Sequence, residues 1–323
     1  MSTQRPNQGF IFWPVGNGDS TTVVVGPGIT FQVDLNHLDS ADEDGDPHAP
    51  VIDELVSLLP KVNGKPYLST FVLTHPDQDH CRGFARLLKE VAIGELWFTP
   101  RVFREYKSDL SDDAIALKKE AERRVKKTIQ VGSGVSSGDR VRIVGYDELL
   151  QEEEFKGFPK DLLAVPGLAV TKLDGAERGT QFRAFVHAPF KDDATGERNE
   201  ASLAMQVRLL GGGNVGHALL LGDLSYPTVK RIFDASKAED LTWDVFKVVE
   251  KIGPSLPGFP LQPRDCRALF EPIDYVAFKG LSDRGVVDAV IFVDVKSGGA
   301  VLQPNQRKIK KAVLNHDVSL LVM

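Results

Sequence analysis

The sequence predicts an α/β protein in two units. Three observations carry that reading. Short β-rich runs alternate with helical spacing in the first half of the chain, the pattern of a sheet covered by helices. The length, 323 residues, suits one large domain or two smaller ones. The character changes near residue 245, where a compact α-β-β-α-β tail begins.

Composition narrows the function classes. Hydrophobic residues make up 42% and charged residues 26%, an ordinary globular balance that excludes a largely disordered chain. The net charge of -6 disfavours a protein that coats nucleic acid through overall basicity, but admits an acidic enzyme handling DNA at a local metal site. Two cysteines, Cys81 and Cys266, imply no disulfide framework and fit a reducing cytoplasm. No run reaches the roughly 18–20 apolar residues of a membrane span. The opening residues have no basic segment followed by an apolar stretch, so no signal peptide is expected.

The elements follow in order. TTVVV and ITFQVDL, separated by Gly26-Pro27-Gly28, predict strands of an N-terminal meander. VIDELVSLLPKV has helical spacing, STFVLT (69–74) is a short buried strand, GFARLLKEVA (83–92) is a helix and ELWFTP a strand. Residues 109–130 are strongly charged and read as a helix with a solvated face. LAVTKL (168–173), QFRAFVH (181–187), SLAMQVRLL (202–210) and HALLL (217–221) are further strands, with Gly211–Asn214 as a hairpin turn. The tail reads as a helix at 243–252, a Pro-rich loop at 254–263, strands IDYVAF and AVIFVDVK, helix NQRKIKKAVLN and strand VSLLVM. Cys81 reads as a core thiol, with a metal-proximal thiol as the sharper alternative. His37, His48 and His217 lack partner spacing.

The first cluster that carries chemistry is Thr74-His75-Pro76-Asp77-Gln78-Asp79-His80. Four potential ligands sit in six positions after a buried strand, where α/β proteins place their chemistry. Imidazole and carboxylate suit zinc, manganese or iron. Pro76 keeps His75 out of helical geometry. The bland alternative is a polar surface turn.

THPDQDH resembles the HxHxDH signature of metallo-β-lactamase-fold hydrolases, in the variant of the ComEC competence type that has Asp for the second His. Other segments agree in order over residues 9–245: PVGNGDS at 14–20, FQVD at 31–34, VHAP at 186–189, NEASL at 199–203 and LGD at 221–223. The resemblance implies an αββα sandwich with two metals, zinc or manganese. It implies His75, Asp77 and His187 on one metal, Asp79 and His80 on the second, and Asp223 bridging. It also implies attack by a metal-activated water that Asp79 helps to orient. One departure is visible. The strand DVFKVV at 244–249 continues with Glu250-Lys251 where the family has a His-His pair. This leaves the second metal a ligand short and the domain incomplete at its end. An incomplete sheet would leave an unpaired edge.

The second cluster lies in the tail, where Asp274 precedes YVAF and Asp294-Val295-Lys296 closes the next strand. Residues two apart on a strand share a face. If the strands pair, two carboxylates can hold magnesium beside a lysine that faces a phosphate. The stretch resembles PD-(D/E)xK nucleases, specifically endonucleases related to archaeal Holliday-junction resolvases, over residues 245–323. The segments that carry this are KVVE at 247–250, LPGFPLQPRD at 256–265, EPIDYVAFKGL at 271–281, VIFVDVKSG at 290–298 and LQPNQRKIKKAV at 302–313. The resemblance implies Glu250, Asp274, Asp294 and Lys296 as the active site with magnesium or manganese, and Gln306 in support. Asp294 stands where Glu is commoner. Arg307, Lys308, Lys310 and Lys311 form a basic edge or a solvated face.

The sequence therefore predicts a lactamase-type αββα domain at 1–244, joined to a nuclease-like core at 245–323. The expected function is metal-dependent hydrolysis of phosphodiester bonds in nucleic acid. The expected setting is cytoplasmic, off the membrane, and a homodimer is admitted. The competing reading is a non-catalytic metal- or partner-binding module with a degenerate site.

Overall fold

In this computed structural model, residues 6–104, 110–211, 216–225, 227–232, 261, 266–268, 275–293, 302, 304–315 and 317 are described. The chain divides into two compact units, Met1–Ser225 and Tyr226–Met323, against an expected boundary at 244/245.

The first unit opens with an antiparallel meander of β1 (Gly9–Phe12), β2 (Thr21–Gly26) and β3 (Ile29–Val33). Gly28, at φ 74, turns β2 into β3. The short strand β4 (Leu35–Asn36), helix α1 (Val51–Leu58) and strand β5 (Lys61–Val62) lead to β6 (Lys65–Val72). Helices α2 (Gln78–Cys81) and α3 (Phe84–Glu90) precede β7 (Ala92–Phe98). Helices α4 (Arg101–Arg104) and α5 (Asp112–Val131) precede β8 (Arg140–Val144) and β9 (Leu163–Ala164). The resulting sheet runs β1-β2-β3-β6-β7-β8-β9, with β5 on β6. It is parallel from β3 onward.

Both faces of this sheet are buried, so its parallel strands read as continuous apolar runs. Phe71, Leu96 and Phe98 point into a core shared with Leu55, Phe84 and Leu117 of the helices. Their strand neighbours Val72 and Trp97 point into a second core. That core is closed by a second, antiparallel sheet in the order β10 (Ala169–Val170), β13 (Phe182–Ala188), β14 (Ala204–Leu209) and β15 (Gly216–Leu220). Phe31 meets Phe182 edge-on across the gap, with ring centroids 5.5 Å apart. The unit is thus helices, sheet, sheet. Among the described residues β15 pairs only with β14.

Several elements differ from expectation. LAVTKL is not one strand. Val170 pairs with β13, whereas β11 (Lys172–Leu173) folds back on β12 (Ala176–Glu177). The cause is Asp174-Gly175, both at positive φ, the dipeptide of a tight hairpin turn. Strand β8 was not anticipated, because arginines interrupt its apolar run. Arg142 is buried all the same, its guanidinium 5.5 Å from the Trp97 ring centroid. The charged helix α5 is not solvated all round. Arg124 is buried and donates to the carbonyls of Ile93, Gly94 and Arg140, so it ties the helix to the sheet. Helix α6 (Lys191–Thr195) is short.

In the second unit, β16 (Cys266–Ala268), β17 (Tyr275–Lys279) and β18 (Ala289–Val293) form an antiparallel sheet. The helix Pro304–Leu314 follows. The expected helix at 243–252, loop at 254–263 and strand at 318–323 lie outside the described residues, apart from residue 261. No helix among the described residues is long and apolar enough to cross a membrane.

Candidate metal centre

The His75–His80 motif follows β6 at the carboxyl end of the parallel strands, the usual place for a site in an α/β sheet. Its first part is an irregular loop. Its second part turns into α2, so His80 comes back towards His75, with ring centroids 4.0 Å apart. Both rings are fully buried.

Asp34 organises the pair. It follows β3 with φ 52, a left-handed conformation that Asp tolerates better than most residues. Its Oδ1 accepts the Thr74 amide at 2.7 Å, and its Oδ2 accepts the Thr74 hydroxyl at 2.7 Å. Oδ2 also accepts His80 Nδ1 at 2.8 Å. Because the Thr74 proton is committed to Asp34, His75 Nδ1 donates to the Thr74 oxygen at 3.1 Å. Both imidazoles therefore carry their Nδ1 proton towards the interior and turn Nε2 towards Asp223. His80 Nε2 lies 3.3 Å from Asp223 Oδ1, and His75 Nε2 lies 3.9 Å from Asp223 Oδ2. Neither Nε2 makes a hydrogen bond of ordinary geometry. Gly222, at φ 53, lets the Asp223 turn descend, since a Cβ there would come within 2.8 Å of the Thr74 hydroxyl and 3.0 Å of Ser202.

The electrostatics follow from this arrangement. Burial opposes charging of His80, but the close carboxylates of Asp223 and Asp34 outweigh burial and push its pKa up to about 11. The adjacent His80 ring, 3.3 Å away, holds Asp223 below the usual carboxylate range against its partial burial. Asp77 lies 3.7 Å from His75 and pairs with Arg198 at 2.8 Å. Burial would raise its pKa, but those partners bring it down to about 2. Asp19 is exposed on one side, and partial desolvation together with the charges of Asp34 and Asp223 pushes its pKa up.

The residues expected at this centre are only partly brought together. His75, His80 and Asp223 each present a ligand atom within 4.8 Å of the others, and so do Asp19, Asp34 and His80. His187 joins neither group. It sits at an irregularity of β13 between Val186 and Ala188, meets the Phe185 ring at a tilt with centroids 4.9 Å apart, and keeps a buried Nε2 without a hydrogen bond. Burial alone lowers its pKa to about 4, so it is neutral. Asp79 also joins neither group, and its backbone packs against Gly18 instead. The expected division into a His75–Asp77–His187 metal and an Asp79–His80 metal is thus not the grouping found. Asp34 and Asp19 are the residues that sequence reasoning passed over as site members. Asp34 was visible as the lone carboxylate ending an apolar strand, and Asp19 as the acid of a double-glycine turn.

The donor set fits a divalent transition metal. Imidazole nitrogens buried with no hydrogen bond, next to carboxylates, are the chemistry such ions select. The Asp34–His80 contact is the outer carboxylate–histidine bond that fixes a ligand's tautomer. His37, Asp42 and Asp53 form another acidic group, but Arg86 already neutralises it with bonds to all three.

Of the second cluster, Glu250, Asp274, Asp294 and Lys296 lie outside the described residues. The strands on either side of that cluster, β17 and β18, pair antiparallel. Tyr275 is opposite Val293, the residues next in sequence to Asp274 and Asp294. Gln306 is half-buried on the helix Pro304–Leu314, and Arg307, Lys308, Lys310 and Lys311 are exposed on it.

A family model described as an endonuclease related to archaeal Holliday junction resolvase matches residues 235–323. No curated protein matches the chain. The C-terminal part is therefore endonuclease-like, and its similarity begins at residue 235 rather than 245.

Proposed function

We propose that this protein is a metal-dependent hydrolase of phosphodiester bonds in nucleic acid. In this reading a metallo-β-lactamase-type first unit accompanies a PD-(D/E)xK-type second one. The observation that carries the metal reading is the pair of fully buried imidazoles, His75 and His80, whose Nε2 atoms lack hydrogen bonds and face Asp223. The nucleic-acid reading draws on the endonuclease match at 235–323. His75, His80 and Asp223 would hold zinc or manganese in the first unit, with Asp77 beside them. Asp274 and Asp294 would hold magnesium or manganese in the second. A divalent cation supplies charge stabilisation at a phosphoryl oxygen and acidifies water. The protein's own groups set the stage. Asp34 fixes the His80 tautomer, Thr74 relays that restraint to His75, and Arg198 keeps Asp77 ionised. Lys296 would face the phosphate and Gln306 would support it.

The test is cleavage of linear, single-stranded and four-way-junction DNA with magnesium or manganese. The unmodified protein runs beside Lys296→Ala and His75→Ala. Cleavage lost only in Lys296→Ala assigns turnover to the second unit and makes the first accessory. Cleavage lost only in His75→Ala assigns it to the first. No cleavage by the folded protein overturns the hydrolase reading and leaves a metal- or partner-binding module. That module is the second reading, favoured by the gathering of ligand groups around one imidazole, His80.

A further inference from the structure

We propose that Asp19 supplies a carboxylate oxygen to the cation held by His80 and Asp223. The inference rests on the metal reading above and extends its ligand set to a residue far from the motif.

Two groups of candidate ligands share His80. One contains His75 and Asp223, the other Asp19 and Asp34, and the ligand atoms of each group lie within 4.8 Å of one another. Within the second group the two carboxylates differ. Asp34 is already committed, with one oxygen on the Thr74 amide and the other on the Thr74 hydroxyl and His80 Nδ1. Asp19 is exposed, and no described residue donates a hydrogen bond to it. Its carboxylate is the one still available.

Charge points the same way. Three carboxylates, those of Asp19, Asp34 and Asp223, surround one imidazole. Among the described residues no arginine or lysine pairs with any of them, since Arg198 is taken by Asp77. Like charges so close repel unless positive charge lies among them; the single imidazole between the three carboxylates leaves room for a divalent cation to supply more of it. The Nε2 atoms of His75 and His80, both fully buried, face Asp223 without making a hydrogen bond and offer a cation its nitrogen ligands.

The turn that carries Asp19 is built for this approach. Gly16 and Gly18 have φ 75 and 94. A Cβ on Gly18 would collide with the Asp79 carbonyl and come within 2.8 Å of the Asp79 Cβ. The turn can therefore press directly onto the start of α2, one residue before His80. Asn36 clamps it from below through Nδ2, which donates to the carbonyls of Val15, at 3.2 Å, and Asn17.

The experiment uses the full-length protein, stripped with chelator and titrated with Mn2+ and with Zn2+ by calorimetry. Mn2+ is followed in parallel by electron paramagnetic resonance. Asp19→Asn is expected to weaken binding by about tenfold or more, with the metal-free protein no less stable to unfolding. Asp19→Glu, which restores the charge on a longer arm, is expected to recover part of the loss. An Asp19→Asn dissociation constant within about twofold of the unmodified protein overturns the inference and leaves the metal site standing. Absence of Mn2+ and Zn2+ binding by the unmodified protein overturns the metal reading, and the inference with it.

Discussion

Replacing Asp34 with Asn separates the shape of the site from its charge. Asn fits the same volume and tolerates φ 52 as Asp does, so the backbone has no reason to move. The carboxylate accepts three hydrogen bonds, at 2.7, 2.7 and 2.8 Å. A bond to a charged group contributes about 1.5–3 kcal/mol and a neutral one about 0.5–1.5. Three bonds losing about 1 kcal/mol each make about 3 kcal/mol, a large part of a typical stability of about 5–15 kcal/mol. The second consequence is chemical. If the amide oxygen takes the Thr74 amide, the NH2 faces Thr74 Oγ1 and His80 Nδ1. A neutral His80 that accepts at Nδ1 then carries its proton on Nε2, where a metal would bind, whereas Asp34 lets the neutral ring keep its proton on Nδ1 and leave Nε2 open. Urea unfolding, followed by the fluorescence of the buried Trp13 and Trp97, is expected to report the loss of about 3 kcal/mol. Metal affinity is expected to fall by about tenfold or more. A stability change under about 1 kcal/mol would refute the role given to Asp34, and unchanged metal affinity would refute the tautomer argument.

Three further outcomes are expected. Arg124→Ala removes a side-chain donor from the carbonyls of Ile93, Gly94 and Arg140, while Glu120 keeps its bonds to Arg123 and the Gly94 carbonyl keeps the Gly138 amide, and should destabilise by about 1–3 kcal/mol in urea unfolding. Burial, and then its bond to the Asp174 carboxylate, push the Tyr67 phenol up to about 12. A raised folded pKa adds stability that is complete below the unfolded value of about 10 and lost as pH rises through 12. Tyr67→Phe should remove that part of the alkaline decline, as measured by unfolding at pH 9 and 11. Cys81 is wholly buried, and burial, with nearby carboxylates, pushes its thiol up to about 12. At pH 8 a thiol reagent should label Cys266 well before Cys81 in the native protein, and both after denaturation, by peptide mass spectrometry.

Local pattern made much of this protein legible in advance. Phe71-Val72 and Leu96-Trp97-Phe98 read as buried strands because each neighbour faces a different core, and continuous apolar runs are what such strands require. The motif from His75 to His80 was legible because its ligands are close along the chain. Other features were hidden because their partners are distant in sequence. Arg142 and Arg124 look like surface charges until the Trp97 ring and the Ile93 and Gly94 carbonyls are seen against them. LAVTKL looks like one strand until Asp174-Gly175 turns it.

By itself, the sequence determined the α/β class, the place of the histidine–aspartate motif after a buried strand, and the endonuclease-like stretch at the C-terminus. These are written in periodicity and in residues near one another along the chain. The tertiary structure decided which carboxylates meet which imidazoles. Asp34 reaches His80 across 46 residues, because β3 and β6 are neighbours in the sheet and end together. Asp223 arrives by the turn after the second sheet, where Gly222 leaves room against Thr74 and Ser202. Asp19 arrives by a turn that closes on α2, and Asp79, adjacent to His80 in sequence, stays out of both ligand groups. Sequence spacing specifies neighbours along one strand or one helix turn. Contacts between strand ends are set by sheet order and register, which appear only when the whole sheet is assembled.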